Sequence, residues 1–281
     1  MMQDESLRYT ILDPTGNITA LVESPVEIGR QSAVAAALMK KHPAVEQVGF
    51  VTFAGAASPE ANVQAALQMA GGEFCGNASM SAAALYLLSR ERQSGQRADM
   101  PTTVRLRVSG ARRPVEVRLE QETAGSFRAG VHMPPALGIE ETAFAFGNLS
   151  GTLPVVCMEG ISHIIIGEAS PFRRLLENRP AAEQAVRDWC GRLAADGLGL
   201  MFLEGTSPYC RLTPLVYVPG SGTVFWENSC ASGSSAVGMY LAAQKGAAVE
   251  LKLQEPGGCL RVESDPGWKE TWLYGKTRVL G

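Results

Sequence analysis

Two helix-forming segments of the sequence, at about Ala78–Arg92 and Gly233–Lys245, consist mainly of Ala, Ser, Leu and Gly and carry almost no charge for three turns. A helix that is small and apolar on every face belongs in a protein interior, so both segments are predicted to be buried. Each follows a cysteine, and aligning Cys75 with Cys230 sets CGNASMSAAALYL against CASGSSAVGMYLA. Self-similarity at about half the chain length predicts two related domains, each with a buried central helix wrapped by strands.

The remaining segments predict a mixed α/β protein. Two further helices are expected at Gly29–Lys41 and Pro180–Ala195, with Pro180 in a first turn where its missing N–H costs nothing. Short apolar stretches separated by Gly and Pro turns predict strands. These strands are Val104–Val108, Val115–Leu119, Val155–Met158, Ile164–Ile166, Leu198–Leu203, Val249–Leu253 and Leu260–Glu263.

The overall composition excludes several classes of protein. Hydrophobic residues make up 46% of the 281 residues and charged residues 19%, which is enough apolar surface for a core. The net charge is −3 and no basic stripe is visible, so nucleic acid is not an expected partner. No apolar run approaches the ~18–20 residues of a membrane span, and the beginning MMQDESLRYT lacks a signal-peptide pattern. A soluble, cytoplasmic protein without membrane contact is therefore expected.

The cysteines and histidines do not form a metal motif. None of the six cysteines stands in C-x-x-C spacing, and the three histidines are far apart in the sequence. We therefore expect reduced thiols and no metal site. The six cysteines are Cys75, Cys157, Cys190, Cys210, Cys230 and Cys259.

The positions of Cys75 and Cys230 favour acid/base chemistry. A thiol at a helix N-terminus is stabilised as thiolate by the helix dipole and free N–H groups, so its pKa is expected to fall. Two such helices facing each other would place two thiols across one cleft. The backbone amides at their ends, from Gly76, Asn77, Ala231 and Ser232, would hold a carboxylate.

That arrangement suits removal of the α-proton from a free amino acid by one thiolate and its return by the opposite thiol. Neither a metal nor a cofactor such as pyridoxal phosphate is needed. The competing interpretation is that both cysteines are inert, because Cys is among the most buried residue types. Cys75 and Cys230 do not fit the interpretation as inert core residues, because they occupy equivalent places in two matched motifs.

The segments GGEFCGNAS and ENSCASGSS resemble the two active-site signatures of the diaminopimelate epimerase family. DPTGN with Gly16–Asn17 is similar to its Gly-Asn substrate loop, VHMP to the strand that opens its second domain, PGGCLRV to a late Gly-Gly turn, and GKTRVLG to its last strand. The resemblance implies two pseudo-symmetric α/β domains, each a barrel-like sheet around a central helix, with the site between them. It implies Cys75 and Cys230 as a two-base pair that acts on a small amino acid without a cofactor.

The predicted division places residues 1–127, joined by the strand 268–281, in the first domain and residues 128–267 in the second. The seam lies near Ser126–Pro135, where a strand-like segment runs into a Pro-Pro turn. A homodimer is compatible with this arrangement, although the sequence does not fix the oligomeric state.

Three departures from the family pattern concern the substrate. A Glu-Arg pair before the second cysteine is replaced by Pro219–Gly222, an Asn by Ala65 and Ala66, and an Asn-Pro-His segment by Ile161–His163. Each change removes a polar group suited to a second zwitterionic end. We therefore expect a single ordinary amino acid, with histidine as the leading example, and keep diaminopimelate as an alternative.

Six polar residues are weaker candidates for substrate binding, and each has a structural alternative. Asn17 and Asn77 follow Gly, which is common in turns. Glu73 and Glu227 precede the cysteines and are equally expected to be surface carboxylates. Ser232 is able to cap its helix instead. His163 lies among apolar residues, which favours a core histidine over a substrate contact.

Other functions remain open at this stage. The same fold could isomerise a carboxylate that is not an amino acid, such as a tricarboxylate or a phenazine precursor, although extra Arg or Lys near the motifs would be expected. A non-catalytic protein could hold a small carboxylate between the helix ends. A cysteine hydrolase could pair His163 with one thiol, but it leaves the second matched cysteine unexplained.

Overall fold

The structure, a computed structural model, describes residues 7–53 and 62–280. Its α-helices are α1 (Ile28–Lys41), α2 (Gly76–Ser94), α3 (Arg179–Leu193) and α4 (Ala231–Lys245), with a 3-10 helix at Pro171–Glu177 before α3. All four predicted helices are confirmed. Helices α2 and α4 begin two residues earlier than predicted, directly after Cys75 and Cys230.

Sixteen strands of the described chain form one continuous sheet. Their bounds are β1 (Tyr9–Pro14), β2 (Thr19–Val22), β3 (Gln47–Phe53), β4 (Ala65–Met69), β5 (Thr102–Val108), β6 (Val115–Thr123), β7 (Ser126–His132), β8 (Gly138–Phe146), β9 (Leu149–Met158), β10 (Ile161–Ile166), β11 (Leu198–Thr206), β12 (Tyr209–Val218), β13 (Thr223–Trp226), β14 (Val249–Glu255), β15 (Gly258–Ser264) and β16 (Thr271–Val279). Each of the seven predicted strands lies inside one of these.

The first half of the sheet is a closed barrel around α2. Strands β1 to β7 follow in order, β16 pairs with β7, and β16 also pairs with β1 through Leu12 and Val279, which closes eight strands. Every residue of α2 from Gly76 to Leu85 is buried. The small side chains of this buried stretch also let the surrounding strands approach it closely.

The second half repeats the arrangement without closing. From β16 the sheet continues through β15, β14, β12, β11, β10 and β9 to β8, with β13 paired to β12. Helix α4 packs against β14, β15 and β16 from one side and β9, β10 and β11 from the other. A side chain at Gly238 would overlap Val262 on β15, so this glycine allows the helix to lie against the strand. The predicted α/β fold with central helices is confirmed.

One large core cluster includes buried residues of both α2 and α4. Strand β7 crosses the predicted boundary between residues 127 and 128, and the division of the chain there stays a prediction. All six cysteines are free. Within the described ranges, no helix combines the length and hydropathy required to span a bilayer.

Candidate active site

The N-terminal ends of α2 and α4 meet at the centre of the molecule. Cys75 and Cys230 are the N-cap residues of these helices, and both have extended backbone dihedrals (φ −132°, ψ 109° and φ −120°, ψ 99°). A Cβ atom built on Gly76 would lie 2.9 Å from the Cβ of Ala231, so the two helix ends are almost in contact. The predicted juxtaposition of the two matched motifs is therefore present in the fold.

Both cysteines line the same small cavity, which has about 30 Å³ of space open to a water-sized sphere. Nine of the ten predicted site residues line it: Asn17, Glu73, Cys75, Gly76, Asn77, Glu227, Cys230, Ala231 and Ser232. The residues that the sequence did not single out are Gln47, Phe74, Ile161, Val216 and Val218. The charged residues in this lining are carboxylates, and none of the described lining residues is Lys or Arg.

His163, the tenth predicted residue, lies behind the cavity wall. Its Nε2 is 3.0 Å from the Oγ of Ser232, and its side chain is fully buried on β10. Burial lowers the pKa of His163 to about 3, so the ring is neutral. A side chain at Gly199 would overlap the ring, so this glycine makes room for it. His163 therefore reaches the cavity through Ser232, and its contact with a substrate stays a prediction.

The three residues before Cys230 are each held by a side chain from the first half of the chain. Gln47 Nε2 donates to Glu227 Oε1 at 3.1 Å, and Asn77 Nδ2 donates to the carbonyl of Ser229 at 2.9 Å. Asn228 Nδ2 donates to the carboxylate of Glu46. These contacts hold the segment that precedes Cys230 in place from the opposite side of the cavity.

Glu46 links this segment to the loop that contains Asn17. The Nδ2 of Asn17 donates to Glu46 Oε2 at 2.9 Å. Glu46 precedes the apolar strand β3, where a charged residue is typical of a strand entry, so no pattern in the sequence indicates its role. Its pKa is raised, chiefly because the carboxyl is partly buried.

Two glycine turns of the predicted motifs also meet beside the cavity. Gly16, in the β1–β2 loop, has φ +95°, and a Cβ atom there would lie 2.5 Å from the Cα of Gly257. Gly257, in the β14–β15 turn, donates its N–H to the carbonyl of Asn228 at 2.7 Å. Side chains at either position would push the two turns apart, which explains the need for glycine here.

The expected lowering of the thiol pKa values is wrong for this cavity. Burial raises the pKa of both Cys75 and Cys230 well above that of a free thiol. Cys75 Sγ does accept the N–H of Ala78 at 3.4 Å, which lowers its pKa, but the loss of hydration outweighs this contact. The helix end alone favours the thiolate, but removing the thiolate from water costs more free energy than the helix end provides. Nearby carboxylates add to the upward shift.

Glu227 and Glu73 are not surface carboxylates. Glu227 is 7% exposed, and burial raises its pKa to about 8. Glu73 is only partly exposed, its pKa is also raised by burial, and its Oε2 atom is enclosed. A carboxyl group with a pKa of about 8 exchanges protons near neutral pH, which suits acid/base work.

Several enclosed acceptor oxygens at the cavity lack a hydrogen-bond donor. They are Asn17 Oδ1, Asn77 Oδ1 and Glu73 Oε2. Buried polar atoms are normally paired, so unpaired acceptors in a cavity wall indicate a ligand with N–H or O–H donors. Among residues 7–53 and 62–280, no three His, Cys, Asp or Glu side chains are grouped so that they could hold a metal ion.

A wider cleft of about 180 Å³ adjoins the cavity and shares part of its wall, including Gln47, Glu73 and Glu227. It lies between α1, β3 and the β12–β13 hairpin. The shared wall makes this cleft the natural continuation of the cavity for a ligand too large for it.

Sequence comparison places the chain among amino-acid racemases. The family model described as "Histidine racemase CntK N-terminal domain" matches residues 6–272. A histidine racemase of Fusobacterium nucleatum is 29% identical over 98% of this chain and 94% of the relative. A histidine racemase of Staphylococcus aureus is 28% identical over 94% of this chain and 90% of the relative.

Solved structures share the fold at low sequence identity. A hydroxyproline epimerase from Agrobacterium vitis matches with a TM-score of 0.67 and 14% identity, over 100% of this chain and 92% of the other. A phenazine biosynthesis protein of the PhzF family from Bacillus anthracis matches with a TM-score of 0.59 and 11% identity, over 98% of this chain and 96% of the other. These two proteins are named for different chemistry, so the fold alone does not identify the substrate.

Proposed function

The chain belongs to the histidine racemase family and is an isomerase, and on that premise we propose that it interconverts the two enantiomers of free histidine with Cys75 and Cys230 as the acid/base pair. One observation carries this proposal. The two N-cap cysteines of the buried helices line one cavity, where they can face opposite sides of a single carbon atom. No cofactor is required for the two proton transfers.

The substrate carboxylate is assigned to the paired helix ends. The backbone amides of Gly76 and Asn77 begin α2, and those of Ala231 and Ser232 begin α4. First-turn amides have no partner within their own helix, and the helix dipole favours an anion there. Negative charge that develops when Cα loses its proton flows into this carboxylate, so the same donors stabilise the transition state.

The substrate ammonium is assigned to the unpaired acceptors. Asn17 Oδ1, Asn77 Oδ1 and Glu73 Oε2 offer three oxygens, and an ammonium group has three N–H donors. Binding would satisfy acceptors that otherwise cost free energy in the empty cavity. A bound ammonium favours ionisation of the lining carboxyl groups, which then supply the complementary charge.

The imidazole is assigned to the wider cleft beyond Gln47 and Glu227. Carboxylate and amide oxygens can accept from the ring N–H, whereas a substrate with a second carboxylate would face acidic groups. The lining has no Lys or Arg among its described residues to neutralise such a carboxylate. This acidity favours histidine over diaminopimelate and over tricarboxylate substrates. Because the inner cavity is about the size of one water molecule, the two halves must separate for entry.

In the proposed reaction, a thiolate on one side removes the proton from Cα, so a C–H bond breaks and an S–H bond forms. The opposite thiol gives its proton to the other face of Cα, and the two cysteines finish with exchanged protonation states. Burial keeps both thiols protonated in the empty cavity. A bound ammonium favours thiolate formation, and Glu227, with a pKa of about 8, can take the released proton in the molecules in which its own carboxyl group is ionised.

The test is to incubate the purified protein with L-histidine in D₂O, and to measure D-histidine by chiral chromatography and Cα deuterium by mass spectrometry. We expect both products with the wild type, and loss of D-histidine by at least about 10³-fold in Cys75→Ser and Cys230→Ser. Cys259→Ser, at an exposed cysteine, is the matched control and should keep full activity. Wild-type turnover in either active-site variant would overturn the two-cysteine mechanism.

The same assay with other free amino acids tests the substrate. We expect the highest kcat/KM for histidine and no exchange with diaminopimelate, because its distal ammonium-carboxylate group would meet no cationic partner in the described lining. A higher kcat/KM for another amino acid would overturn the assignment of histidine while leaving the two-cysteine chemistry intact.

A further inference from the structure

Glu255, the last residue of β14, is a buried carboxyl group with no part in the substrate contacts assigned above. Strand β14 alternates buried and exposed residues, with Leu251 and Leu253 facing inward, and Glu255 falls in the inward register. It is 2% exposed. A carboxyl group at an apolar position is costly unless hydrogen-bond donors compensate it.

The donors that compensate Glu255 come from the start of α4. Its Oε2 accepts the backbone N–H of Cys230 at 2.6 Å, and its Oε1 accepts the hydroxyl of Ser234. A glutamate that accepts from an N-cap amide is one half of a capping box, here supplied by a separate strand. Glu255 thus determines where the N-terminus of α4, and with it Cys230, is held.

The two helices that follow the cysteines are capped in different ways. At α2, Cys75 provides the cap through its own sulfur, which accepts the N–H of Ala78. At α4, the side chain of Cys230 makes no capping bond, and Glu255 binds the Cys230 amide instead. Two helix amides, those of Asn77 and Ala78, lower the pKa of the Cys75 thiol, whereas one, that of Gly233, lowers the pKa of the Cys230 thiol. The carboxyl group of Glu255 acts on Cys230 and is not among the main influences on Cys75.

We propose that Glu255 is a positioning residue that keeps Cys230 the less readily ionised of the two cysteines, so that the thiolate that begins the reaction forms first at Cys75. The consequence for catalysis rests on the proposed racemase function, whereas the effect on Cys230 does not. A thiolate at Cys230 would form next to the Glu255 carboxyl group, which is ionised above about pH 8, and like charges disfavour ionisation of each other.

The groups around Cys230 agree with this assignment. The titratable neighbours are Glu227 on the preceding loop, Glu255 on β14, Cys75 across the cavity and His163 beyond Ser232. Glu227 and Glu255 both raise the pKa of the Cys230 thiol, and His163 stays neutral and supplies no positive charge. Cys75 is influenced by Glu227 and Glu73 but not by Glu255 among its main neighbours.

The test replaces Glu255→Gln, which keeps the shape and removes the charge. Alkylation of each cysteine by iodoacetamide is followed by peptide mass spectrometry between pH 6 and pH 11. We expect Cys230 to be alkylated about tenfold faster at a given pH between 9 and 11, because a pKa lower by one unit gives a tenfold larger thiolate fraction below that pKa. The alkylation rate of Cys75 should stay unchanged. Glu250→Gln, on the exposed face of the same strand, is the matched control and should shift neither cysteine.

An unchanged alkylation rate of Cys230 in Glu255→Gln would overturn the proposal, as would an equal increase at both cysteines, which would indicate an opened cavity. Ser234→Ala provides a second variant that keeps the Glu255 carboxyl group, and its Cys230 alkylation rate should not rise. Because the alkylation needs no substrate, the proposal can fail or stand independently of histidine racemisation.

Steady-state kinetics add a readout that a purely structural cap would not move. Enantiomers of a free amino acid have equal free energies, so kcat/KM must be the same in both directions. Glu255→Gln is expected to change the ratio of kcat for L- and D-histidine by about tenfold, with KM changing by the same factor. A ratio identical to the wild type, with only a lower melting temperature, would reduce Glu255 to a structural cap and overturn the proposal.

Discussion

Asn77 Nδ2 lies 2.9 Å from the backbone carbonyl oxygen of Ser229, and this hydrogen bond joins the first turn of one buried helix to the residue preceding the other cysteine. The amide is 1% exposed, so a lost contact would not be replaced easily by solvent. The distance between the sulfur atoms of Cys75 and Cys230 therefore depends on this hydrogen bond between the two halves of the chain.

Asn77→Ala is expected to lower kcat/KM by about 100-fold, because a displacement of the order of 1 Å between the acid/base groups has such an effect. The free energy of unfolding should fall by about 1–3 kcal/mol, since the Ser229 carbonyl loses its donor. Chiral chromatography and urea unfolding measure the two quantities. Asn148→Ala, in an exposed hairpin turn, should alter neither; full activity in Asn77→Ala would show that this bond does not position the site.

Gly16→Ala is expected to destabilise the protein more than an ordinary glycine substitution at positive φ. The new methyl group would lie 2.5 Å from the Cα of Gly257 and force apart the two turns that flank the cavity. Gly95→Ala is the control, because Gly95 has φ +69° and open space around it. Urea unfolding should show about 1–3 kcal/mol more loss for Gly16→Ala than for Gly95→Ala. Equal losses would mean that only backbone strain matters.

Gly199→Ala tests the support of Ser232 by His163. Its methyl group would overlap the His163 ring and push it away from the serine hydroxyl, although neither Gly199 nor His163 contacts the cavity directly. We expect kcat/KM for histidine to fall by about tenfold. Gly138→Ala, in a strand with open space at its Cβ position, should retain full activity. Unaltered kinetics in Gly199→Ala would remove His163 from the functional network.

Glu227 gives the stability of the protein a defined pH dependence. Its pKa is about 8 in the folded protein against 4.5 for the ordinary group, so the folded state binds the extra proton between these values. The free energy of unfolding should therefore decrease as pH rises from about 4.5 through 8. Glu227→Gln should show a weaker decrease over the same window in urea unfolding at pH 5, 6.5 and 8.

The exposed residue Glu177 provides the control for this measurement, and Glu177→Gln should follow the wild-type pH curve. Glu255 also has a pKa of about 8, so a residual decrease is expected to remain in Glu227→Gln. An identical slope in wild type and Glu227→Gln would contradict the assignment of a raised pKa to Glu227.

The sequence predicted the central helices because their signal is local. A helical segment of small, uncharged residues on every face is typical of a protein interior. Each of the two cysteines directly precedes such a segment. The pairing of Leu12 on β1 with Val279 on β16 is the opposite case, because no local pattern specifies a partner so far along the chain. The residues alone did not reveal which strands close the barrel.

The difference between local and long-range signals also applies to the site. Most of its predicted residues are neighbours of the two cysteines in the sequence, whereas Gln47 and Val216 lie on other strands and reach the cavity through the pairing of the sheet. Glu255 was missed because only the strand register shows that its carboxyl group faces inward. The thiol pKa values were mispredicted because hydration lost on burial is a property of the assembled cavity and not of a helix end.

Strand β16 belongs to both halves, since it pairs with β7 along one edge and, along the other edge, with β15 near its start and with β1 near its end. During synthesis on a ribosome, the strands of the first barrel are therefore made before β16, and the barrel around α2 stays open until residues 271–279 have been added. A fragment that ends at the middle of the chain would leave β1 and β7 without the strand that joins them.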